Sequence, residues 1–198
     1  MWPPEEGSRF LYWLQQVQLS PVLTSLMEQL QKDKYVAKRD NFKIKIVQSE
    51  MADLSHFENE TFDIIFQPIS NVFAPDIRTV WKECFRVLKY GGRLLAGFMN
   101  PSYYLFDHFD AEKTGEYTVK YKLPYSDIDS LTAEQKEKLK KEKLAFEFSH
   151  SLETQIGGQI KAGFVIAGLY EDWWDDESTP LNKYSPTSVA TLARKLKI

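Results

Sequence analysis

Cysteine is almost missing from this 198-residue chain, and Cys84 is its sole representative. One thiol permits no disulfide framework, and no zinc-type cluster of Cys and His is visible. Cys84 lies on the apolar stripe of a helical pattern, where a free thiol behaves as a small hydrophobe. No secretory signal pattern is present, and no apolar run is long enough to span a bilayer. The net charge is −3 at pH 7, with acidic residues spread along the chain, so there is no basic footprint for nucleic acid. These absences favour a soluble protein of a reducing compartment, the cytoplasm, with neither membrane nor nucleic acid as partner. What is abundant is apolar: 43% of residues are hydrophobic and 14% aromatic, enough to give residues 1–198 one domain with a sizeable core.

The chain is organised around the stretch from Phe62 to Pro101. Phe62 to Phe66 and Arg93 to Phe98 are short continuous apolar runs, which read as strands covered on both faces of a parallel sheet. Between them Ile77, Val80, Trp81, Cys84, Phe85, Val87 and Leu88 form one helical stripe. Pro75 and Asp76 supply a helix start, and Gly91 and Gly92 a stop. The result is a βαβ unit with a right-handed crossover, and ligands bind beyond the carboxyl ends of such strands. The functional loops are therefore expected at Gln67 to Phe73 and Met99 to Phe106.

The string FDIIF, an S-N-x-F loop, W-x-E-C-x-R-V-L-K-x-G-G and R-L-L-A-G-F together resemble the fourth to fifth strand of class I S-adenosylmethionine-dependent methyltransferases. R-V-L-K-x-G-G before an apolar strand is the most specific piece, although Tyr90 stands where the family usually has proline. The resemblance runs from about Glu28 onward. It implies an α/β fold, a three-layer Rossmann-like sheet incomplete on its N-terminal side. It also implies S-adenosylmethionine as cofactor and methyl transfer to a small-molecule acceptor. EQLQKDKYVAKRD matches the helix after the second strand, and FKIKIVQ alternates like the third. The strands near Lys43 to Val47, Phe62 to Phe66 and Arg93 to Phe98 are expected in one sheet.

Before Glu28 the family pattern fails. The fold needs a glycine turn after its first strand, where backbone approaches the cofactor closely, and a carboxylate after its second to hold the ribose. Residues 1–27 contain one glycine, Gly7, and no such turn. The codons of Trp2-Pro3-Pro4-Glu5-Glu6-Gly7, read two bases later, permit Ala-Ser-Gly-Gly-Gly. Allowed codons through Met27 extend this to a string resembling the missing loop, its helix, the second strand and its aspartate. Alanine across Trp2-Pro3 and leucine across Tyr12-Trp13 are forced. Residues 1–27 are thus either an out-of-frame reading of the cofactor half-site or a genuine divergent helix.

Carried over by the resemblance, Glu50 accepts the adenine amino group and Met51 borders the ring. Gln67, Ser70 and Asn71 face the methionine part of the cofactor. Tyr103 to His150 departs from the minimal fold and reads as a cap inserted after the fifth strand. Within it, EYTVKYKLP and LAFEFSHS read as strands and LTAEQKEKLKKEKL as a charged helix. Tyr103, Tyr104 and Asp107 are the candidates for the acceptor pocket. Methyl transfer from a sulfonium needs positioning and no metal, and a base only when the acceptor must lose a proton. His150, near the cap junction, is the candidate base. SLETQIGGQIKAGF reads as the last crossover helix, stopped at Gly163. FVIAGLYED and SPTSVATLARK read as the sixth strand and an antiparallel seventh. A non-catalytic remnant acting as a binding module is the competing reading.

Overall fold

A computed structural model describes residues 22–24, 27–41, 45–142, 144–175 and 178–197. Its contacts divide the chain into two compact units, one up to His56 and one from Phe57 to Ile198. In the first, strand β1 (Val22–Thr24) leads into helix α1 (Met27–Arg39), and strand β2 (Ile46–Gln48) pairs with β1 in parallel. The expectation that the third-strand segment joins the sheet of the later strands is not met among the described residues, because β2 pairs with β1 alone. β1 contains no glycine, and the proposed glycine-loop region, residues 1–21, lies outside the described residues.

The second unit is built on a four-stranded sheet, order β3-β4-β6-β5. Strand β3 (Phe62–Gln67) runs parallel to its neighbour β4 (Leu88–Met99) through helix α2 (Ile77–Val87), as the βαβ pattern requires. Asp76 caps α2, accepting from Arg78 N at 3.0 Å and Thr79 Oγ1 at 2.8 Å, and Ile77, Val80, Trp81, Cys84 and Val87 are all buried. Gly91 and Gly92 do not stop the helix. It ends at Val87, and the two glycines sit inside β4 in an irregularity where Lys89 to Gly92 stand opposite Asp63 alone. Gly91 adopts φ +83°, and a Cβ on Gly92 would lie 2.8 Å from the Lys89 carbonyl oxygen. Leu88 is fully buried opposite Phe62.

The continuous apolar runs are not covered equally on both faces. Leu94, Ala96 and Phe98 are buried, whereas Leu95 and Gly97 on the other face are half-buried and Phe66 is exposed.

After β4 the chain forms a 3-10 turn (Pro101–Leu105), helix α3 (His108–Thr114), helix α4 (Asp127–Ser130) and helix α5 (Ala133–Lys141). A capping box between Thr132 and Gln135 starts α5, and only Leu139 of that helix is buried. The two expected cap strands are each reduced to a single bridge, Phe106 to Val119 and Ser126 to Phe148. Isolated backbone bonds, such as Lys120 N and Tyr121 N to Leu105 O and Ser149 N to Tyr125 O, hold this region together with side-chain hydrogen bonds and aromatic packing. A π-helical turn (Glu153–Gly157) then leads into helix α6 (Gly158–Ala162), which Gly163 stops in the left-handed conformation at φ +112°. Strand β5 (Val165–Asp172) forms the sheet edge, and β6 (Ser188–Arg194) lies antiparallel between β4 and β5. No described helix is long and apolar enough to cross a membrane.

Candidate functional site

In the first unit, Glu50 is exposed at the bend just beyond the carboxyl end of β2, and Met51 is half-buried beside it. The bend is closed by Asp53 N donating to Glu50 O at 3.0 Å and Ser49 Oγ to Asp53 O at 2.7 Å. A carboxylate there is free in direction to accept an exocyclic amine. On the β1 side no carboxylate occurs between Thr24 and Glu28, so the residues fit an adenine contact and do not supply the ribose one.

In the second unit, the loop beyond β3 is fixed from both sides. Its own bonds are Ser70 Oγ to Pro68 O at 2.9 Å, Phe73 N to Ser70 O at 3.1 Å and Ala74 N to Asn71 O at 3.1 Å. The returning end of the cap clamps it from one side: Phe148 N donates to Val72 O at 2.7 Å, and His150 Nε2–H donates to Ala74 O at 2.9 Å and Asn71 O at 3.3 Å. Burial holds the His150 ring below its ordinary pKa, against the opposing pull of those two carbonyls, so it is neutral at pH 7. Its donor nitrogen is already engaged by backbone.

From the other side, Asn71 is fully buried and its Nδ2 donates to Gln155 Oε1 at 2.8 Å. Gln159 Nε2 donates to Gln155 O at 3.2 Å, and Thr191 Oγ1 on β6 to Gln159 Oε1 at 3.0 Å. Gln155, Gln159 and Thr191 are all buried. Sequence reasoning missed this relay. Its signal was two glutamines four residues apart on a helix, around Gly157 and Gly158, where one face had to be core.

The cap carries a second polar network inside an aromatic cluster. Val72, Met99, Tyr104 and Tyr125 form a buried group, with Tyr103, Tyr121 and Trp174 packed against it. Tyr104 OH donates to Glu147 Oε2 at 2.7 Å, Tyr125 OH to Asp127 Oδ1 at 2.6 Å, and Glu147 N to Asp127 Oδ2 at 2.7 Å. Burial, with the Asp127 charge adding to it, pushes the Glu147 carboxyl up despite the Tyr104 bond.

The acceptor-pocket candidates separate. Tyr104 is buried in the aromatic cluster. Asp107 is buried in an ion pair with Lys120, with Tyr121 OH at 3.2 Å; burial raises its pKa, but the Lys120, Asp110 and Tyr121 bonds outweigh that and hold it below the ordinary value. Tyr103 stacks on His108 at 3.9 Å and lines a cavity of about 120 Å³ with Phe106, Leu181 and Tyr184. Among the described residues no three His, Cys, Asp or Glu side chains gather as a metal site.

Comparison with known proteins bears on the family and the fold. A family model described as a methyltransferase domain matches residues 10–96, beginning inside the atypical N-terminal segment. An uncharacterized methyltransferase of Bacillus subtilis, YbaJ, is 46% identical over 151 residues, 76% of this chain. The match spans only 59% of that relative's own length. Among solved structures, an S-adenosylmethionine-dependent methyltransferase from Mesorhizobium loti superposes with a TM-score of 0.66 at 16% identity, covering 93% of this chain and 85% of that one. One from Methanosarcina mazei gives 0.60 at 15%, covering 89% and 81%. A geranyl diphosphate methyltransferase solved with S-adenosylmethionine gives 0.55 at 13%, covering 88% and 67%. At these identities the structures establish the fold.

Proposed function

The chain belongs to the class I S-adenosylmethionine-dependent methyltransferase family, and from that premise we propose that its two units serve one domain for methyl transfer to a small-molecule acceptor in the cytoplasm. The observation that carries this reading is the loop after β3, at the carboxyl end of a parallel strand, pinned by the cap on one side and by a buried amide relay on the other. Such immobilisation suits a displacement whose acceleration comes from alignment. When bound, S-adenosylmethionine would supply the electrophilic methyl group. Glu50 and Met51 would take its adenine side, and the loop of Gln67, Ser70 and Asn71 its methionine side.

The small apolar cavity beside Tyr103 favours an acceptor of modest size. For His150 we propose a holding role in place of the base role: its Nε2–H holds Ala74 O and Asn71 O, and the ring is buried and does not line the cavity beside Tyr103, so the Nδ1 that a base would use has no described opening to an acceptor there. Tyr104 and Asp107 hold the cap together in the same way.

One sequence feature favours the second reading, a domain that keeps its sheet but binds cofactor weakly. Residues 1–27 supply neither the glycine turn nor the ribose carboxylate. A lost charge-assisted hydrogen bond costs about 1.5 to 3 kcal/mol, and each 1.4 kcal/mol is about tenfold in affinity. Several such losses weaken binding by several orders of magnitude. Calorimetric titration of the chain with S-adenosylmethionine separates the readings. Micromolar binding supports the enzyme as it stands. No binding, with recovery when residues 1–27 are replaced by the two-base-shifted reading and loss again on Glu50→Ala, supports the weakened one. No binding by either form would remove the methyl-transfer proposal.

A further inference from the structure

The loop after β3 is held from beneath by a residue that no family motif in this chain singles out. We propose that Gln155 is a positioning residue: acting through Asn71, it sets the conformation of the segment Ser70 to Ala74 that the methyl-transfer reading, on which this inference rests, places against the cofactor.

The geometry is specific. Asn71 has no exposed surface, and its only described side-chain bond is the one from Nδ2 to Gln155 Oε1 at 2.8 Å, because its Oδ1 has no hydrogen-bond partner among the described residues. Removing the Gln155 oxygen therefore leaves an entire buried amide unpaired, and a buried polar group without a partner is far more costly than a solvated one. The cheapest escape is for Asn71 to rotate toward water. Its backbone goes with it, and that backbone accepts from Ala74 N and from His150 Nε2.

Gln155 itself has little freedom. It sits in the π-helical turn Glu153–Gly157, a form of helix that is frequent at functional sites. Its backbone nitrogen donates to Ser151 O at 2.9 Å, and its carbonyl accepts from Gln159, which Thr191 on the central strand β6 holds in turn. Trp81 closes the helix side: its Nε1 donates to Thr154 O at 3.2 Å, and a Cβ on Gly158 would lie 2.9 Å from its Cδ1. The loop is thereby referenced to the sheet as well as to its own sequence neighbours.

The test needs no cofactor, so its failure is separate from failure of the methyl-transfer reading. Amide hydrogen exchange is measured on the whole chain for Gln155→Met, which keeps length and removes the acceptor. Gln155→Glu, which keeps an acceptor oxygen at the same reach, is the rescue. Gly163→Ala serves as a control that destabilises the far end of the same helix against Phe85 without touching the relay. Gln155→Met should speed exchange of the Phe73, Ala74 and Phe148 amides by about ten- to a hundredfold, the scale of one orphaned buried group. It should also remove the exchange-protected Asn71 side-chain amide resonance, while the β4 and β6 amides keep their protection relative to global stability. Gln155→Glu should restore the loop. Unchanged loop exchange in Gln155→Met, or the same loop pattern in Gly163→Ala at matched stability, would overturn the proposal.

Discussion

Replacing His150 with phenylalanine tests whether this ring holds the loop or works as a base. The variant keeps a ring in a buried site and deletes the donor to Ala74 O and Asn71 O. Asn71 O retains Ala74 N at 3.1 Å, so the carbonyl that loses most is that of Ala74. Leaving one buried acceptor unsatisfied costs about 1 to 3 kcal/mol. For a chain of this size about 2 kcal/mol corresponds to roughly 4 to 8 °C in Tm. The pH dependence carries a sign. Burial depresses the folded pKa of His150, so below the ordinary value near 6.5 the unfolded chain takes up a proton that the folded chain refuses. Its contribution is complete above that pH and is lost as pH falls toward the folded value. Urea unfolding of parent and variant between pH 8 and pH 5 should therefore show a less stable variant at pH 8 and a gap that narrows on acidification. His56 and His108 are common to both proteins and cancel. His150→Gln, which retains a donor, should recover most of the neutral stability without the slope. Equal stability at pH 8 together with an identical slope would refute the holding role.

Two further outcomes follow from the same structure. Glu147→Gln should stabilise the protein at neutral pH: burial raises the folded pKa of Glu147, so the parent loses stability as pH rises from the ordinary carboxyl value near 4.3 through the raised one, at up to about 1.4 kcal/mol per pH unit. Unfolding midpoints that diverge with falling rather than rising pH would contradict this. Gly163→Ala should cost roughly 2 to 3 kcal/mol in urea unfolding, since left-handed backbone alone costs about 1 to 2 and the new Cβ would lie 2.7 Å from Phe85 Cζ; an unchanged midpoint would mean that the helix ends differently.

The parts of the fold legible in the sequence are those decided by local pattern. The α2 stripe, its Asp76 cap, the Gly163 stop and the pairing of β3 with β4 all follow from residues within one or two turns or strands of each other. Where two local signals compete, tertiary burial chooses between them. The Gly91-Gly92 pair reads as a helix stop, yet Leu88 is buried in β4 opposite Phe62, and the glycines sit in the resulting irregularity. The cap misleads for the opposite reason. EYTVKYKLP alternates like a strand, but Lys120 N and Tyr121 N both donate to Leu105 O, the Lys120 and Tyr121 side chains both reach Asp107, and the Tyr121 ring packs on Tyr125, all without a ladder.

The candidate site was legible as a loop and illegible as a mechanism of holding that loop, and the difference is one of range. Family resemblance could point to Asn71 because its neighbours form a contiguous string. It could not show that the Asn71 side chain turns inward, because what decides this is Gln155, 84 positions away in sequence. His150 drew notice as a titratable group near a junction, and its ordinary pKa suits a base. Only the structure shows that the ring is buried with its Nε2–H on Ala74 O and Asn71 O. The same logic runs in reverse for Glu50. It remains exposed at the end of β2, and its carboxylate still has its hydrogen-bonding capacity to offer a ligand.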